Sequence, residues 1–200
     1  MPKPYTTNDT WSQRAAAEGY RARSVYKLME LDERFALLKP GITVLDLGAA
    51  PGSWLQYTAQ KIEPGRAIGV DLTEIHPIGS NVSLYKQDVT NIAAIEEILK
   101  KEKVEHLDLV LSDIAPNTSG VRDVDQWRSL ELARAVLAIA QKFLKPHGYG
   151  VVKVFRGADF DEFLREVRST WEEVKTVTVK ASRDRSREVY LVMRATGEAS

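Results

Sequence analysis

The hydrophobic positions of the chain form short apolar runs that alternate with longer amphipathic segments. Runs typical of strands occupy residues 42–47, 66–71, 82–85, 107–112, 150–155, 174–180 and 188–193. Segments with a helical spacing of apolar positions occupy residues 23–38, 53–62, 92–103, 127–144 and 160–171. Because strands that alternate with helices form parallel sheets, the pattern predicts an α/β fold with helices on both faces of one sheet.

The last two predicted strands break this alternation. Only a short polar turn separates them, whereas a parallel connection needs a crossover of about a dozen residues or more. We therefore expect a seven-stranded, mostly parallel sheet with one antiparallel strand. The sequence has no internal repeat or linker, so residues 1–200 are expected to form a single domain, in which residues 1–40 are an N-terminal extension.

Composition narrows the class of protein. A chain of 200 residues with 44% hydrophobic content suits one domain with a full core. No stretch approaches the roughly 20 apolar residues of a membrane span, and residues 1–7 lack the apolar core of a signal peptide. The chain contains no cysteine, which excludes disulfides, thiolate metal sites and a cysteine nucleophile. We expect a cytoplasmic protein without a membrane segment.

The histidines give no indication of a metal site. His76, His106 and His147 are scattered along the chain without the spacing of metal ligands. We therefore predict that they lie at the surface and that the protein holds no metal.

The formal net charge is zero, but the basic residues are unevenly distributed. A zero net charge argues against a protein coated in positive charge for nucleic acid. Local basic clusters can still bind phosphate groups, or they can be solvated faces, and composition leaves both interpretations open. One cluster lies near each end of the chain, with Arg14, Arg21, Arg23 and Lys27 in the first and Arg183, Arg185 and Arg187 in the second.

Lys153 is unusual for its position, because it lies within an apolar run that is typical of a buried strand. A buried lysine loses hydration and is rarely tolerated without a charged partner or a function. The alternative is an edge strand, from which the ammonium group reaches water.

The first predicted strand leads into a loop of small residues, Asp46 to Trp54. Small residues let the backbone approach a ligand closely, and the helix that follows offers free N–H groups. Ligands of parallel sheets bind at the carboxyl ends of the strands. Asp71 ends the second strand about 20 residues later, where a carboxylate can accept hydrogen bonds from ribose hydroxyls. Asp88 follows the third strand and is placed to reach an adenine amino group.

The loop does not match the glycine pattern of dehydrogenases. The second and third glycines of that pattern fall on Ala50 and Ser53, which disfavours a nucleotide-dependent oxidoreductase. A tight turn without a ligand is the remaining alternative. It leaves the acidic residues that end the second and fourth strands unexplained.

Four stretches of the chain form a pattern in which order and spacing matter. They are Leu45-Asp-Leu-Gly-Ala-Ala-Pro-Gly-Ser-Trp54, Ser112-Asp-Ile-Ala-Pro-Asn-Thr-Ser-Gly120, Val152-Lys-Val-Phe-Arg-Gly157 and Ser186-Arg-Glu-Val-Tyr190. Together they resemble the FtsJ/RrmJ family of S-adenosylmethionine-dependent RNA ribose 2′-O-methyltransferases, in the family's order and with similar spacing. The resemblance extends from about residue 20 to residue 194. Within the family, the chain is most similar to the bacterial type that methylates a uridine ribose in large-subunit (23S-type) ribosomal RNA.

The resemblance implies a Rossmann-like class I methyltransferase fold and S-adenosylmethionine as the cofactor. The cofactor-binding residues that it implies lie in the loop and at the ends of the second, third and fourth strands. They are Gly48, Ala49, Pro51, Gly52, Trp54, Asp71, Asp88 and Asp113.

The resemblance also implies a catalytic tetrad of Lys27, Asp113, Lys153 and Glu188, to which the helix of the N-terminal extension contributes Lys27. Two carboxylates can neutralise two lysines that would otherwise be costly to hold together. Lys153 is the candidate for accepting the proton of the 2′-hydroxyl or for stabilising the developing alkoxide. Desolvation and the charge of Lys27 favour a neutral amine, whereas Asp113 favours the ammonium form, and the sequence leaves the outcome open. Lys27 and Glu188 are expected to position the ribose.

Two absences agree with methylation of oxygen. Amino-group methyltransferases usually carry an Asn/Asp-Pro-Pro-aromatic motif after the fourth strand, where this chain has Asp113-Ile-Ala-Pro116. Methylation of cytosine C5 commonly uses a cysteine nucleophile, and the chain contains no cysteine.

The expected partner is ribosomal RNA within the large subunit, bound by a monomer. An unpaired nucleotide would lie over the tetrad, with arginines on phosphates, and an aromatic residue could stack on a base. A tRNA anticodon-loop 2′-O-methyltransferase and a non-catalytic, RNA-binding ribosome assembly factor are the alternatives. The candidate arginines are Arg21, Arg23, Arg156, Arg183 and Arg185; the candidate aromatics are Tyr20, Tyr26, Trp54 and Tyr190, most of which are expected in the core or against the cofactor.

Overall fold

A computed structural model describes residues 10–182 and 186–197 of the chain. Its seven strands form one sheet in the order β3-β2-β1-β4-β5-β7-β6. All pairs are parallel except those made by β7, which runs antiparallel to β5 and β6. This confirms the predicted mostly parallel sheet. The strands are β1 (Thr43–Leu47), β2 (Arg66–Asp71), β3 (Val82–Lys86), β4 (Leu107–Ser112), β5 (Leu144–Phe155), β6 (Glu173–Val177) and β7 (Glu188–Arg194).

Six helices accompany the sheet in the described part of the chain. Five of them correspond to predicted helices; the helix at residues 53–62 has the predicted ends, and the other four differ at one or both ends. The first helix was not predicted; it has only eight residues, and its apolar residues are one tryptophan and three alanines. The helices are α1 (Thr10–Ala17), α2 (Val25–Phe35), α3 (Ser53–Ile62), α4 (Ile92–Lys101), α5 (Arg122–Phe143) and α6 (Phe160–Arg168).

The largest differences from the predicted bounds lie around α5. The helix begins five residues before the predicted start at Trp127, because Asp123 and Asp125 in its first turn favour a helix N-terminus despite their polarity. The predicted stop signal at residues 145–148 lies within β5 instead of in a separate loop. There the register between β4 and β5 shifts between Leu107 and Leu109, and His147 adopts a positive φ of 61°.

Apolar side chains cover both faces of the sheet. One cluster joins α4, α5 and α6 to one face, and Ile95, Val136 and Phe163 are among its buried members. The other cluster joins α2 and α3 to the opposite face, with Leu28 and Leu55 fully buried. Helices therefore lie on both faces, as predicted. Within the described ranges, no helix is both long and apolar enough to cross a membrane.

Candidate active site

The loop between β1 and α3 is shaped by two glycines with positive φ, Gly48 at 76° and Gly52 at 101°. L-residues with a side chain rarely adopt this region. A Cβ atom on Gly48 would also lie 2.6 Å from Cβ of Ile114, in the loop that follows β4. The absence of a side chain at Gly48 therefore lets the loops after β1 and β4 meet at the carboxyl edge of the sheet.

A cavity of about 650 Å³ opens at this edge. It lies among the loops that follow β1, β2, β3 and β4, where parallel sheets bind ligands. Acidic and apolar side chains both contribute to its walls. The lining residues are Gly48, Ala50, Asp71, Leu72, Thr73, Asp88, Val89, Asp113, Ile114, Ala115, Pro116, Asn117 and Leu132.

Two of the carboxylates are fixed by local hydrogen bonds. Asp71 accepts hydrogen bonds from the backbone N–H of Ala50 at 3.0 Å and of Thr73 at 2.7 Å, which ties the end of β2 to the loop after β1. Asp88 accepts hydrogen bonds from the backbone N–H and the hydroxyl of Thr90, both at 2.8 Å. Both side chains are therefore held in place at the cavity wall.

Four of the eight residues predicted to bind the cofactor line this cavity, namely Gly48, Asp71, Asp88 and Asp113. The other four, Ala49, Pro51, Gly52 and Trp54, belong to the loop and the start of α3 but do not line it. Trp54 is buried in the core behind the loop. Its indole N–H donates a 2.7 Å hydrogen bond to the carbonyl of Ser24, and its ring packs beside Tyr190 at 6.0 Å.

Asp46 lies behind the cavity and is fully buried in β1. Burial, followed by the negative charges of Asp113 and Asp71, raises the pKa of Asp46 well above its usual value. No donor among the described residues bonds to its Oδ2 atom. Asp46 was not singled out from the sequence, because an aspartate at the end of a strand could not be distinguished from the other residues of the loop motif.

The register of the sheet brings Asp113 and Lys153 together. Ser112 of β4 lies opposite Val152 of β5, so the next residues of the two parallel strands are neighbours. The Nζ atom of Lys153 lies 3.0 Å from Oδ1 of Asp113 and donates a 2.5 Å hydrogen bond to its carbonyl oxygen. Lys153 is only 4% exposed, which confirms that its strand is buried and excludes the edge-strand alternative.

The other two members of the predicted tetrad join the same cluster. The Nζ atom of Lys27, on α2, lies 2.9 Å from Oε2 of Glu188 and 3.8 Å from Oδ1 of Asp113. Burial alone would raise the pKa of Glu188, but the positive charges of Lys27 and Lys153 and hydrogen bonds from Lys27 and Ser186 lower it. Two carboxylates and two ammonium groups thus balance in charge within a largely buried cluster.

Tyr190 also belongs to this cluster, a role that the sequence did not predict. It is one of the candidate aromatics for base stacking, most of which are expected in the core or against the cofactor, and its side chain is fully buried. Its hydroxyl donates a 2.5 Å hydrogen bond to Oδ1 of Asp113. Burial, and then the adjacent charge and hydrogen bond of Asp113, raise the pKa of Tyr190 well above its usual value, so its hydroxyl remains protonated as a donor. The role of Tyr190 follows from the strand register, which places it opposite Lys153 and which the sequence does not show.

Arg21, a candidate for contact with RNA, forms hydrogen bonds within the protein. Its guanidinium donates to three backbone carbonyls: Pro51 at 3.0 Å, His76 at 2.9 Å and Pro77 at 2.8 Å. The first carbonyl belongs to the loop after β1, and the other two belong to the segment after β2. Arg21 therefore connects the N-terminal extension to the rim of the cofactor loop.

The remaining candidates for RNA contact differ in how exposed they are and in what they bind. Arg23 donates to the carbonyl of Ala181 at 3.4 Å, and Arg156 is exposed beside the ring of Phe160. Arg183 and Arg185 lie outside the described residues. Of the candidate aromatics, Tyr26, Trp54 and Tyr190 are buried and Tyr20 is half-buried, in line with the expectation that most belong to the core or cofactor region.

The potential metal ligands of residues 10–182 and 186–197 do not cluster. All three histidines are exposed, as predicted. In the part of the chain that the structure describes, no three His, Cys, Asp or Glu side chains are arranged to hold a metal ion.

Comparisons with known proteins agree with this geometry. The FtsJ-like methyltransferase family model matches residues 20–196. The chain is 48% identical to the ribosomal RNA large subunit methyltransferase E of Azoarcus sp. strain BH72, over 92% of this chain and 90% of that protein. It is 44% identical to the protein of the same name from Methylobacillus flagellatus, over 92% and 89% of the two chains.

A solved structure supports the same assignment. It is described as a ribosomal RNA methyltransferase from Plasmodium falciparum and superimposes with a TM-score of 0.79 at 28% identity. The match covers 88% of this chain and 98% of that chain. Fold, motifs and similarity over nearly the whole length agree, and the chain belongs to the FtsJ-like methyltransferase family.

Proposed function

We propose that the chain transfers a methyl group from S-adenosylmethionine to the ribose 2′ oxygen of a uridine in large-subunit ribosomal RNA. The observation that carries the proposal is the position of Asp113, which lines the acidic cavity and also pairs with Lys153. A methyl donor in the cavity and a ribose at the lysines would meet at this residue. The names of the relatives, which are ribosomal RNA methyltransferases, support RNA as the substrate.

The cavity fits S-adenosylmethionine in size and charge. Its volume of about 650 Å³ lies within the range of roughly 300–1,000 Å³ that is typical of small-molecule pockets. Asp71, Asp88 and Asp113 line it, and their negative charges complement a sulfonium and an ammonium group. We assign the ribose hydroxyls to Asp71, at the end of β2, and the adenine amino group to Asp88.

The loop after β1 completes the proposed cofactor site. We assign contacts with the cofactor to Gly48, Ala49, Pro51 and Gly52, whose small or compact side chains leave the backbone accessible. Trp54 is assigned an indirect role, because its buried indole supports Ser24 and packs beside Tyr190.

When bound, S-adenosylmethionine supplies an electrophilic methyl group, so the protein has to align the attacking oxygen and handle one proton. We assign the contact with the 2′ oxygen to Nζ of Lys153. Asp113 occupies two bonding directions of this nitrogen, through its carbonyl and its carboxylate oxygen. The third direction is assigned to the ribose, where a lone pair accepts the proton or an N–H group stabilises the alkoxide.

Lys27 and Glu188 are assigned to positioning. Their 2.9 Å ion pair lies next to Asp113 and involves two different elements, α2 and β7. The pair attaches α2 to the cluster, and the negative charge of Glu188 compensates the positive charges of Lys27 and Lys153. We assign these two residues the alignment of the ribose and of the Asp113 carboxylate.

We also propose that residues 1–200 act as one domain and as a monomer, with the large ribosomal subunit in the cytoplasm as the site of action. The covered length of the relatives and their names support this proposal. Sedimentation of the purified protein with and without large subunits tests both the monomer and the partner.

Transfer of radiolabelled methyl groups tests the substrate. The protein is incubated with labelled S-adenosylmethionine and with large subunits or total tRNA from a methylation-deficient strain. We expect label in large-subunit RNA, at a ribose 2′ oxygen. Label in tRNA alone would contradict the proposed ribosomal substrate and favour a tRNA 2′-O-methyltransferase. Binding of the cofactor without any methyl transfer would favour a non-catalytic assembly factor.

A pair of lysine variants tests the assigned role of Lys153. Lys153→Ala is expected to abolish transfer while cofactor affinity, measured by calorimetry, stays within about twofold of the original value. Lys145→Ala is the matched control, because Lys145 lies on the same strand but forms an exposed ion pair with Asp108. Retained transfer by Lys153→Ala would remove this residue from catalysis.

The pH dependence of single-turnover rates separates the two roles of Lys153. A proton acceptor requires the neutral amine, so the rate would rise with pH to a plateau. A stabilising ammonium requires the proton, so the rate would fall as the group deprotonates.

A further inference from the structure

A second cavity, of about 360 Å³, adjoins the first one. It lies between the first turns of α5 and the loop that follows β4. Three residues, Pro116, Asn117 and Leu132, line both cavities, so the two spaces share a wall. The remaining lining residues are Trp127, Arg128 and Glu131. The proposed function assigns no ligand to this space.

Exposed apolar side chains occur in the lining of the second cavity and close to it in sequence. Trp127, which lines the cavity, is 57% exposed; Val121, the residue before α5, is 57% exposed, and Val124, in the first turn of α5, is 38% exposed. Val124 and Trp127 are three positions apart on α5, which places them side by side on the helix surface. Tryptophan is highly buried on average in proteins, and an exposed apolar patch that includes it indicates a binding surface.

Arg128 supplies a positive charge at the lining of the second cavity. It donates one hydrogen bond, at 3.3 Å, to the carbonyl of Asn117, and a guanidinium has five N–H donors in total. Its charge also acts on Asp125, and Glu131 shares the guanidinium of Arg134 with Glu166. An arginine therefore lies beside the exposed indole, next to a cavity that shares a wall with the proposed cofactor cavity.

We propose that this second cavity binds an unpaired nucleotide of the substrate RNA, adjacent to the methylated nucleotide. Its base stacks on Trp127, and its phosphate contacts Arg128. Proteins recognise unpaired bases by stacking them on aromatic side chains, with basic groups on the backbone. The inference rests on the proposed function for the identity of the RNA, and it adds a specific site beyond the tetrad and the cofactor cavity.

Two substitutions at one position separate stacking from simple apolar contact. Trp127→Leu keeps an apolar side chain but removes the aromatic face, and Trp127→Phe restores an aromatic face. For protein-free ribosomal RNA, we expect Trp127→Leu to raise KM about tenfold, with kcat and cofactor affinity retained. Trp127→Phe should stay within about threefold of the original KM. Thermal unfolding of all three proteins should coincide, because the side chain is exposed.

Three results would overturn the proposal. An unchanged KM for Trp127→Leu would show that the indole does not bind RNA. A loss confined to intact subunits, with protein-free RNA unaffected, would assign the surface to a ribosomal protein. A weakened cofactor affinity would assign the cavity to the cofactor site.

Fluorescence gives a readout that does not require methyl transfer. Of the four tryptophans, Trp54 and Trp171 are 3% and 5% exposed and Trp11 is half-buried against Tyr26, so Trp127, at 57%, is the most accessible to a stacking base. Titration with a short single-stranded oligoribonucleotide should quench the emission of the original protein, and Trp127→Leu should lose most of that quenching. Equal quenching in both proteins would contradict the inference. If ribosomal RNA is not methylated, the proposed function fails while this binding result still decides the inference.

Discussion

The hydroxyl of Tyr190 donates a 2.5 Å hydrogen bond to the same carboxylate oxygen of Asp113 that pairs with Lys153. Tyr190 lies opposite Lys153 in the register between β5 and β7. A fully buried phenol therefore fixes the carboxylate on which the proposed reaction depends. A carboxylate held by two donors has little freedom to rotate, which orients the ammonium group as well.

Tyr190→Phe removes this hydrogen bond and keeps the packed ring. A hydrogen bond to a charged group contributes about 1.5–3 kcal/mol, so we expect kcat of methyl transfer to fall about tenfold or more. Tyr57→Phe is the control, because it removes a comparable 3.0 Å hydrogen bond to Asp32 away from the cluster. Steady-state kinetics of both variants give the comparison. Equal rates for the two would show that Tyr190 serves only packing.

Arg21→Ala removes three donors that connect the N-terminal extension to the loops after β1 and β2. Because the loops at the rim would lose a common anchor, we expect cofactor binding to weaken by about 1 kcal/mol, or roughly fivefold. Calorimetric titration with the cofactor measures the change. Arg34→Ala, which removes a 3.2 Å hydrogen bond from α2 to Thr178, should leave the affinity unchanged. Similar losses in both variants would argue against a specific role of Arg21.

Asp46→Asn tests how the buried carboxyl group of Asp46 makes the free energy of unfolding depend on pH. The pKa of Asp46 in the folded protein is raised above its usual value of 3.8, so the folded state binds more protons than the unfolded state above that pH. Stability from this group is therefore present at low pH and is lost as the pH rises towards the folded pKa. We expect the variant to gain stability relative to the original protein as the pH rises from about 4 to 7.

Chemical denaturation at several pH values measures this difference. A stability gap between Asp46→Asn and the original protein that is independent of pH would contradict the raised pKa. We expect methyl transfer to fall in the same variant, because Asp46 directly precedes the end of β1 and its carboxyl group is close enough to Asp113 for their charges to interact.

Gly157→Ala tests the contact between α5 and the loop after β5. A Cβ atom at this position would lie 2.2 Å from Oε1 of Gln126, whose side chain is almost fully buried and would have to shift within the packed interior. We expect a loss of about 1–3 kcal/mol of unfolding free energy, or roughly 2–4 °C in Tm for each kcal/mol. Thermal unfolding measures the shift.

Two further variants check that explanation. Gly79→Ala should have little effect, since the nearest atom lies 3.3 Å from the added Cβ. Combining Gly157→Ala with Gln126→Ala should recover part of the loss, because the clashing amide is removed. A full loss in the double variant would mean that the backbone at Gly157 is the cause.

The strand pattern was readable from the sequence because it depends on local periodicity. The strands at residues 66–71 and 107–112 and the helix at residues 53–62 have the predicted ends. The antiparallel final strand followed from the length of one turn. The start of α5 was missed, since its first turn, Arg122 to Asp125, is stabilised by helix-terminus electrostatics and not by apolar spacing.

The sequence by itself determined the order of the motifs, the family and the four candidate catalytic residues, because these follow from residue identity and spacing. The tertiary structure alone decided how they meet. Residues 113, 153 and 188 converge because β4 and β5 are parallel neighbours and end at one edge, while β7 runs the other way and begins there. Packing of α2 against the sheet adds Lys27 to them. The strand pairing also buries Tyr190 against Asp113, and the fold brings Arg21 to backbone carbonyls far away in sequence, which no local pattern encodes. Contacts between residues far apart in sequence depend on strand register and packing, and those are properties of the folded chain.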